Sequence, residues 1–171
     1  MNSPIDKLVD DYHDLIDFLL KNNQLSESVE IKDHYRKILL LSCASFYEMK
    51  ITGILKTFVK KYSLDDKVCE FLSNKAINRQ YHTFFDWKQT KNINQFLGLF
   101  GETFKNKIAQ TIKDDEILSD NISAFLLIGS ERNLIVHENF LEYRLEKTFE
   151  EIVGLHKKAI NFIKFLENEL C

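Results

Sequence analysis

After Pro4 the sequence contains no further proline, and its 171 residues include only five glycines. So few turn formers argue against a sheet protein, whose strands need frequent reversals, and for long helices with short connections. The stretch from Ser26 or Ser28 to about Tyr62 carries that constraint furthest. Ile31, Tyr35, Ile38, Leu39, Cys43, Phe46, Ile51, Ile54, Leu55, Phe58 and Val59 follow one another there without a proline. A single helix would span about 50 Å at 1.5 Å per residue, more than a small domain needs. A bend near Thr52-Gly53, or a helix that projects into a partner, is therefore expected. Side chains to fill a core are plentiful, since 44% of the residues are apolar and 14 are Phe. The length predicts one domain over residues 1–171, with most of the unfolded chain's surface buried on folding.

Capping residues mark the other helices. Ser3-Pro4-Ile5-Asp6 offers an N-cap, a proline at the first helical position and an acid in the first turn. Ile5, Leu8, Val9, Tyr12, Leu15, Ile16 and Leu19 then share one face. Asp6, Asp10, His13, Asp14 and Asp17 lie opposite; His13 and Asp17 have the spacing of a metal pair, but the pattern is that of a solvated acidic face. Ser63-Leu64-Asp65-Asp66 caps a short helix to about Ala76, Asn94 to Phe100 forms another stopped by Gly101, and Glu102 to Lys113 forms a third. Asn78 to Lys88 has no clean period. Its aromatics, interleaved with Arg79, His82 and Lys88, suit either base stacking or a lid packed over the core. Ile117 to His137 is apolar on much of its circumference, which places it centrally. Glu138 to Tyr143 breaks the pattern and reads as a connection. Thr148-Phe149-Glu150-Glu151 is a capping box that opens the last helix, with His156 on its apolar face as a core or interface histidine. The fold class is all-α: a helical bundle of about four main helices with short helices inserted.

Several functions are set aside by what the sequence lacks. No apolar run approaches the 18 or more residues of a membrane span, and Met1-Asn2-Ser3-Pro4 leads into acidic, amphipathic sequence without a signal pattern. A soluble, cytoplasmic protein with no membrane partner is expected. Cys43, Cys69 and Cys171 are odd in number and far apart, as free thiols would be. The five histidines show no metal-ligand spacing, and neither phosphate-binding loops nor dinucleotide fingerprints occur, so no metal and no cofactor is expected. The net charge of −3 gives no global attraction to nucleic acid, so any RNA binding must rest on a local basic patch.

What remains is Ser130-Glu131-Arg132-Asn133-Leu134-Ile135-Val136-His137. Leu118, Ile122, Phe125, Gly129, Arg132 and Val136 step by three and four along one helix face, so Arg132 stands where another Leu would. A guanidinium there must be paired, lie at an interface, or do something. Asn133 and His137 share a face. Arg132 and His137, five apart, point about 140° apart, so they converge on one ligand only if the helix ends or bends near His137, or if a second copy completes the site. These residue types suit phosphodiester cleavage without a metal. The imidazole moves protons near neutral pH, the guanidinium holds the phosphate, and the amide orients either. The spacing equally fits a structural account, with Arg132 salt-bridged to a neighbouring helix and His137 placed favourably at a helix C-terminus. Glu48 is either an exposed acid on the polar side of its helix or a supporting group.

Arg132-Asn133-Leu134-Ile135-Val136-His137-Glu138-Asn139-Phe140 resembles the Arg-x4–6-His motif of HEPN domains (higher eukaryotes and prokaryotes nucleotide-binding). It is most similar to the bacterial branch that includes the RiboL-PSP-HEPN group, with Glu138 standing where a Gly is common. Ala44-Ser45-Phe46-Tyr47-Glu48 resembles the earlier long helix of that branch, Arg79 to Trp87 and Phe100-Gly101 its insert, and Leu141 to Leu170 the helix after the motif. The resemblance implies a helical bundle that dimerises so that two motifs face each other in one cleft. It also implies RNA cleavage, with His137 as general acid/base, Arg132 as phosphate and transition-state stabiliser, Asn133 as positioning group and Glu48 orienting Arg132 or His137. The 2′-OH would attack to leave a 2′,3′-cyclic phosphate, so DNA is not a substrate. Toxin–antitoxin or anti-phage roles, with a possible antitoxin protein as partner, follow from the same resemblance. So does the alternative of a silent module that binds a nucleotide or a protein, for example beside a nucleotidyltransferase antitoxin.

Overall fold

In the computed structural model, residues 3–63, 65–88 and 92–171 are described. The helices among them are α1 (Pro4–Lys21), α2 (Leu25–Tyr62), α3 (Asp66–Leu72), α4 (Tyr81–Phe84), α5 (Asn94–Gly98), α6 (Glu102–Asp114), α7 (Glu116–His137) and α8 (Phe149–Leu170); a π-helical turn, Ser73–Ile77, continues α3. No strand occurs among the described residues. The long helices α1, α2, α7 and α8 form the bundle, with α8 lying along both α7 and α2 and α1 along α2.

The caps act as their residues predict. The Ser3 hydroxyl accepts from the Asp6 N–H at 3.1 Å while the Asp6 carboxylate accepts from the Ser3 N–H at 2.7 Å. Thr148 and Glu151 repeat that exchange at α8, and Asp115 caps α7 through the Leu118 N–H at 2.9 Å. Leu64 lies outside the described residues, as do Met1 and Asn2; Asp65 caps α3 by accepting from the Lys67 N–H. Gly101, at φ 90°, occupies the left-handed region that ends the α5 turn before α6 begins. The acidic residues and His13 on the outer face of α1 are all exposed.

Helix α2 corrects one expectation, its start. It starts at Leu25, ahead of both serines. Asn23, at φ 58°, reverses the chain immediately before it, and the Ser28 hydroxyl bonds back to the Leu25 carbonyl at 2.8 Å instead of capping. The helix then runs unbroken through Gly53 for 38 residues, about 57 Å. Neighbours at each end accommodate that length: α1 packs along it, and α3 with its π turn packs against it farther on. One 18-residue window of α2 also reaches a mean hydropathy of 1.5, which by length and composition is enough for a span. Leu39, Leu40, Cys43, Tyr47 and Ile51 of this helix are core residues of the bundle, each at most 1% exposed.

Phe125 of α7 sits at the centre of the aromatic core, with ring centroids 5.5 Å from Tyr47, 5.0 Å from Phe85 and 5.0 Å from Phe162. The segment without a clean period packs here. Phe84 and Phe85 are buried, and Phe85 stacks on Phe96 at 4.8 Å. It is therefore a lid over the core. His156 is buried as well, stacked on Tyr47, with its Nδ1 2.9 Å from the Tyr47 hydroxyl.

Candidate functional site

Helix α7 buries Leu118, Ile122, Phe125 and Gly129 in the expected order, then departs from it. Ile135 is buried and Val136 is 55% exposed, so the inward stripe turns aside just where Arg132 and Asn133 stand half-buried. Gly129 explains what lies beside them. The Trp87 indole rests directly on its backbone, and a Cβ built at Gly129 would meet Trp87 Cζ3 at 2.0 Å and Cε3 at 2.4 Å. Trp87 is held there by its Nε1–H, which donates to the His82 carbonyl at 3.0 Å, and by Tyr81, Phe85 and Phe125 around it.

Arg132 opens on a cleft of about 120 Å³ formed with Glu48, Tyr81, His82, Trp87 and Asn133. Its guanidinium donates to the Asn133 side-chain oxygen at 3.0 Å. No carboxylate lies within 4.0 Å of it among the described residues, which removes the simple salt-bridge account. Glu48 is half-buried, not an acid on an open polar face, and it lines the same cleft. Burial first, and then the Glu48 carboxylate, push the Tyr81 phenol above its ordinary range, while Arg132 pulls it back. Both charges therefore act on one hydroxyl at the cleft.

His137 is the last residue of α7 and is exposed. It opens on a neighbouring depression of about 420 Å³, with Ser130, Leu134, Asp86 and Gln95 among its walls. Asn133 and Trp87 belong to both hollows and separate them. Asn133 and His137 thus share a depression, as their spacing predicts, whereas Arg132 and His137 do not meet within the chain. The helix keeps its form to His137, and the only change of course is at Glu138, whose backbone turns extended at φ −96°, ψ 168°.

Two residues that spacing did not single out fasten the segment after the motif. Glu131 accepts from the Tyr143 hydroxyl at 2.8 Å and lies 3.5 Å from the Lys147 ammonium. Burial, and next this bond to Glu131, raise the Tyr143 phenol. Lys37, 1% exposed, donates to the Phe140 carbonyl at 3.1 Å, pairs with Asp33 at 3.3 Å, and sits 5.5 Å from the centre of the Phe140 ring. A signal for Lys37 was available: with Leu40, Ala44, Tyr47 and Ile51 it forms a buried stripe, so it too is a cation in an apolar place. Elsewhere, burial pushes the Cys43 thiol up to about 12, which makes it inert as a nucleophile near neutral pH. No group of three or more His, Cys, Asp or Glu able to hold a metal occurs among the described residues.

No curated protein and no solved structure matches the chain. The RiboL-PSP-HEPN family matches it over residues 6–171, which takes in all four bundle helices, the lid and the Arg132–His137 element. The chain belongs to the RiboL-PSP-HEPN family.

Proposed function

We propose that the protein is an endoribonuclease of HEPN type, acting as a cytoplasmic toxin or anti-phage effector on RNA and needing no metal. The observation that carries this reading is the half-buried Arg132 guanidinium, turned to a cleft with Asn133 as its bonded neighbour and, among the described residues, no carboxylate within ion-pair reach. A site of that kind supplies local positive charge on a chain whose net charge is −3. In the reaction, the 2′-OH loses its proton to the His137 imidazole of the site and its oxygen bonds to phosphorus. The bond from phosphorus to the 5′-oxygen breaks, and the imidazolium so formed returns the proton to that leaving oxygen. A 2′,3′-cyclic phosphate and a 5′-hydroxyl result. Arg132 offsets the charge that builds on the phosphoryl oxygens, Asn133 positions it, and Glu48 orients the guanidinium from across the cleft. Two chains related by a two-fold axis would place Arg132 of one against His137 of the other.

The test is cleavage of a mixed RNA pool by purified protein in EDTA, wild type beside Arg132→Ala and His137→Ala. Both variants should lose activity, and wild-type products should carry cyclic-phosphate ends. An equimolar mixture of the two variants separates a shared site from a single-chain one. If subunits exchange, half the dimers are mixed and each has one intact Arg–His pair, so about a quarter of wild-type activity returns. Sites built within one chain recover nothing. A second reading, a silent module that binds a nucleotide or protein, is favoured by the small Arg132 cleft and by its separation from His137; saturable RNA binding with no turnover would select it.

A further inference from the structure

A hollow of about 520 Å³ lies away from the motif, between the first turn of α1, the middle of α2 and α8. Its place on α2 sets it apart. Ala44 and Glu48 face the Arg132 cleft, whereas Phe46 and Lys50 line this hollow. Two residues of helix separate the pairs by about 200°, so the two sites occupy opposite flanks of α2. Three lysines line it, Lys50, Lys157 and Lys164, with the Lys50 ammonium 5.4 Å from the centre of the Phe46 ring, and none has an ion-pair partner within 4.0 Å among the described residues. Asp6 and Glu167 also line it, and one Asp6 oxygen is taken by the Ser3 N–H. The surroundings therefore carry one positive charge in excess.

A buried polar group also reaches this space. His156 is 7% exposed, its Nδ1 is engaged by the Tyr47 hydroxyl, and its Nε2 has no partner among the described residues. The other ring nitrogen, Nε2, is left free on a residue that lines the hollow, where it donates or accepts according to the tautomer. The remaining floor is apolar, from Phe46, Ile160 and Ile163. The volume falls within the range of small-molecule sites, and a phosphate monoester, with a charge of about −1.5 to −2 near neutral pH, answers the excess of ammonium groups.

We propose that this hollow is a second ligand site, which takes a phosphate monoester with a small apolar or planar body. Lys50, Lys157 and Lys164 hold the phosphate, Phe46 and Ile160 face the body, and the free Nε2 of His156 hydrogen-bonds the ligand. The phosphomonoester belongs either to a free small molecule or to the 5′ end of an RNA.

Phenyl phosphate is the probe, titrated into the whole chain while the imidazole and backbone signals are followed by NMR. The His156 ring signals should shift saturably, with a Kd below about 1 mM. Lys157→Glu with Lys164→Glu should weaken binding at least about tenfold, whereas arginine at both positions holds it within about threefold. Inorganic phosphate, which lacks the body, should bind at least about tenfold more weakly. Unshifted free-state spectra of both variants establish that they fold. Competition by a 5′-phosphorylated trinucleotide, and not by its 5′-hydroxyl counterpart, assigns the site to RNA ends; phenyl phosphate binding with competition from neither assigns it to a free small molecule. The proposal falls if His156 does not shift, if the double reversal leaves binding unchanged, if inorganic phosphate binds equally well, or if the 5′-hydroxyl strand competes equally.

Discussion

Two glycines inside long helices should respond to alanine with opposite signs. A Cβ at Gly129 would stand 2.0 Å and 2.4 Å from two carbons of Trp87, where carbon contacts are comfortable near 3.5–4.0 Å, so the indole must withdraw by roughly 1.5 Å. Tyr81, Phe85 and Phe125 surround that ring, which places the overpacking cost toward the upper part of about 1–3 kcal/mol. Alanine returns about 1 kcal/mol of helix propensity. Gly129→Ala should therefore lose about 1–2 kcal/mol, a fall of about 2–8 °C in Tm for a chain of this length. Gly53 has nothing within 4 Å of a built Cβ among the described residues and is exposed, so Gly53→Ala should keep the propensity gain and raise Tm by about 1–4 °C. Trp87 is the single tryptophan, so its emission during urea or thermal unfolding reports the affected ring directly. Gly129→Ala should also change the native emission spectrum. If it melts at or above wild type with an unchanged spectrum, Trp87 does not rest on Gly129, and the wall between the two hollows is wrongly drawn.

Three further outcomes follow from charges in the fold. Lys37→Met removes the donor to the Phe140 carbonyl and an ammonium that had to be desolvated, so global stability should change by no more than about 1 kcal/mol. Amide exchange across residues 138–143 should nevertheless quicken several-fold; unaltered protection would place the tether elsewhere. Burial holds His156 below its ordinary 6.5, with Asp6 opposing. The unfolded chain therefore binds its proton first, and stability should be full above about pH 6.5 and decline as pH falls toward the lowered value. Urea midpoints between pH 5 and 7.5 measure this slope, and His156→Gln should flatten it. Finally, Glu138→Gly removes an exposed carboxylate beside His137 and should lower the KM for RNA about threefold at low salt, with the gain lost at high salt; a salt-independent change would mean that the turn, not the charge, was altered.

Most of the helical plan is legible because its signals are local. The hydroxyl of Ser3 or Thr148 and the carboxylate three residues later satisfy each other within one turn, so sequence alone marks where α1 and α8 begin. The start of α2 is less legible, because a serine that caps and a serine that bonds back to a carbonyl one turn earlier look alike until Asn23 is seen to reverse the chain. Gly53 does not end the helix. Glycine weakens a helix without breaking its ladder, and here Ile51, Ile54 and Leu55 bury the flanking turns and hold it.

The site is legible only as far as an anomaly can be seen along one helix. A cation on an apolar stripe marks both Arg132 and Lys37, yet one faces a cleft and the other is a tether. The difference lies in the Phe140 carbonyl, 103 residues from Lys37, which no periodicity reveals. Trp87 is likewise invisible as a wall until Gly129 is seen to leave room for it. The relation between Arg132 and His137 is, by contrast, dictated by the helix itself. Because α7 remains helical through His137, the angle of about 140° between the two side chains stands, with Trp87 and Asn133 between the hollows they face. Bringing them together inside one chain would require unwinding the last turn of α7, whose end is fixed by the Glu138 N–H on the Leu134 carbonyl at 2.9 Å and by the Glu131 and Lys37 tethers just beyond. A second chain meets the same requirement with every one of those bonds intact, which is why the mixed-variant assay, and not a single-chain mutant, is the decisive measurement for this site.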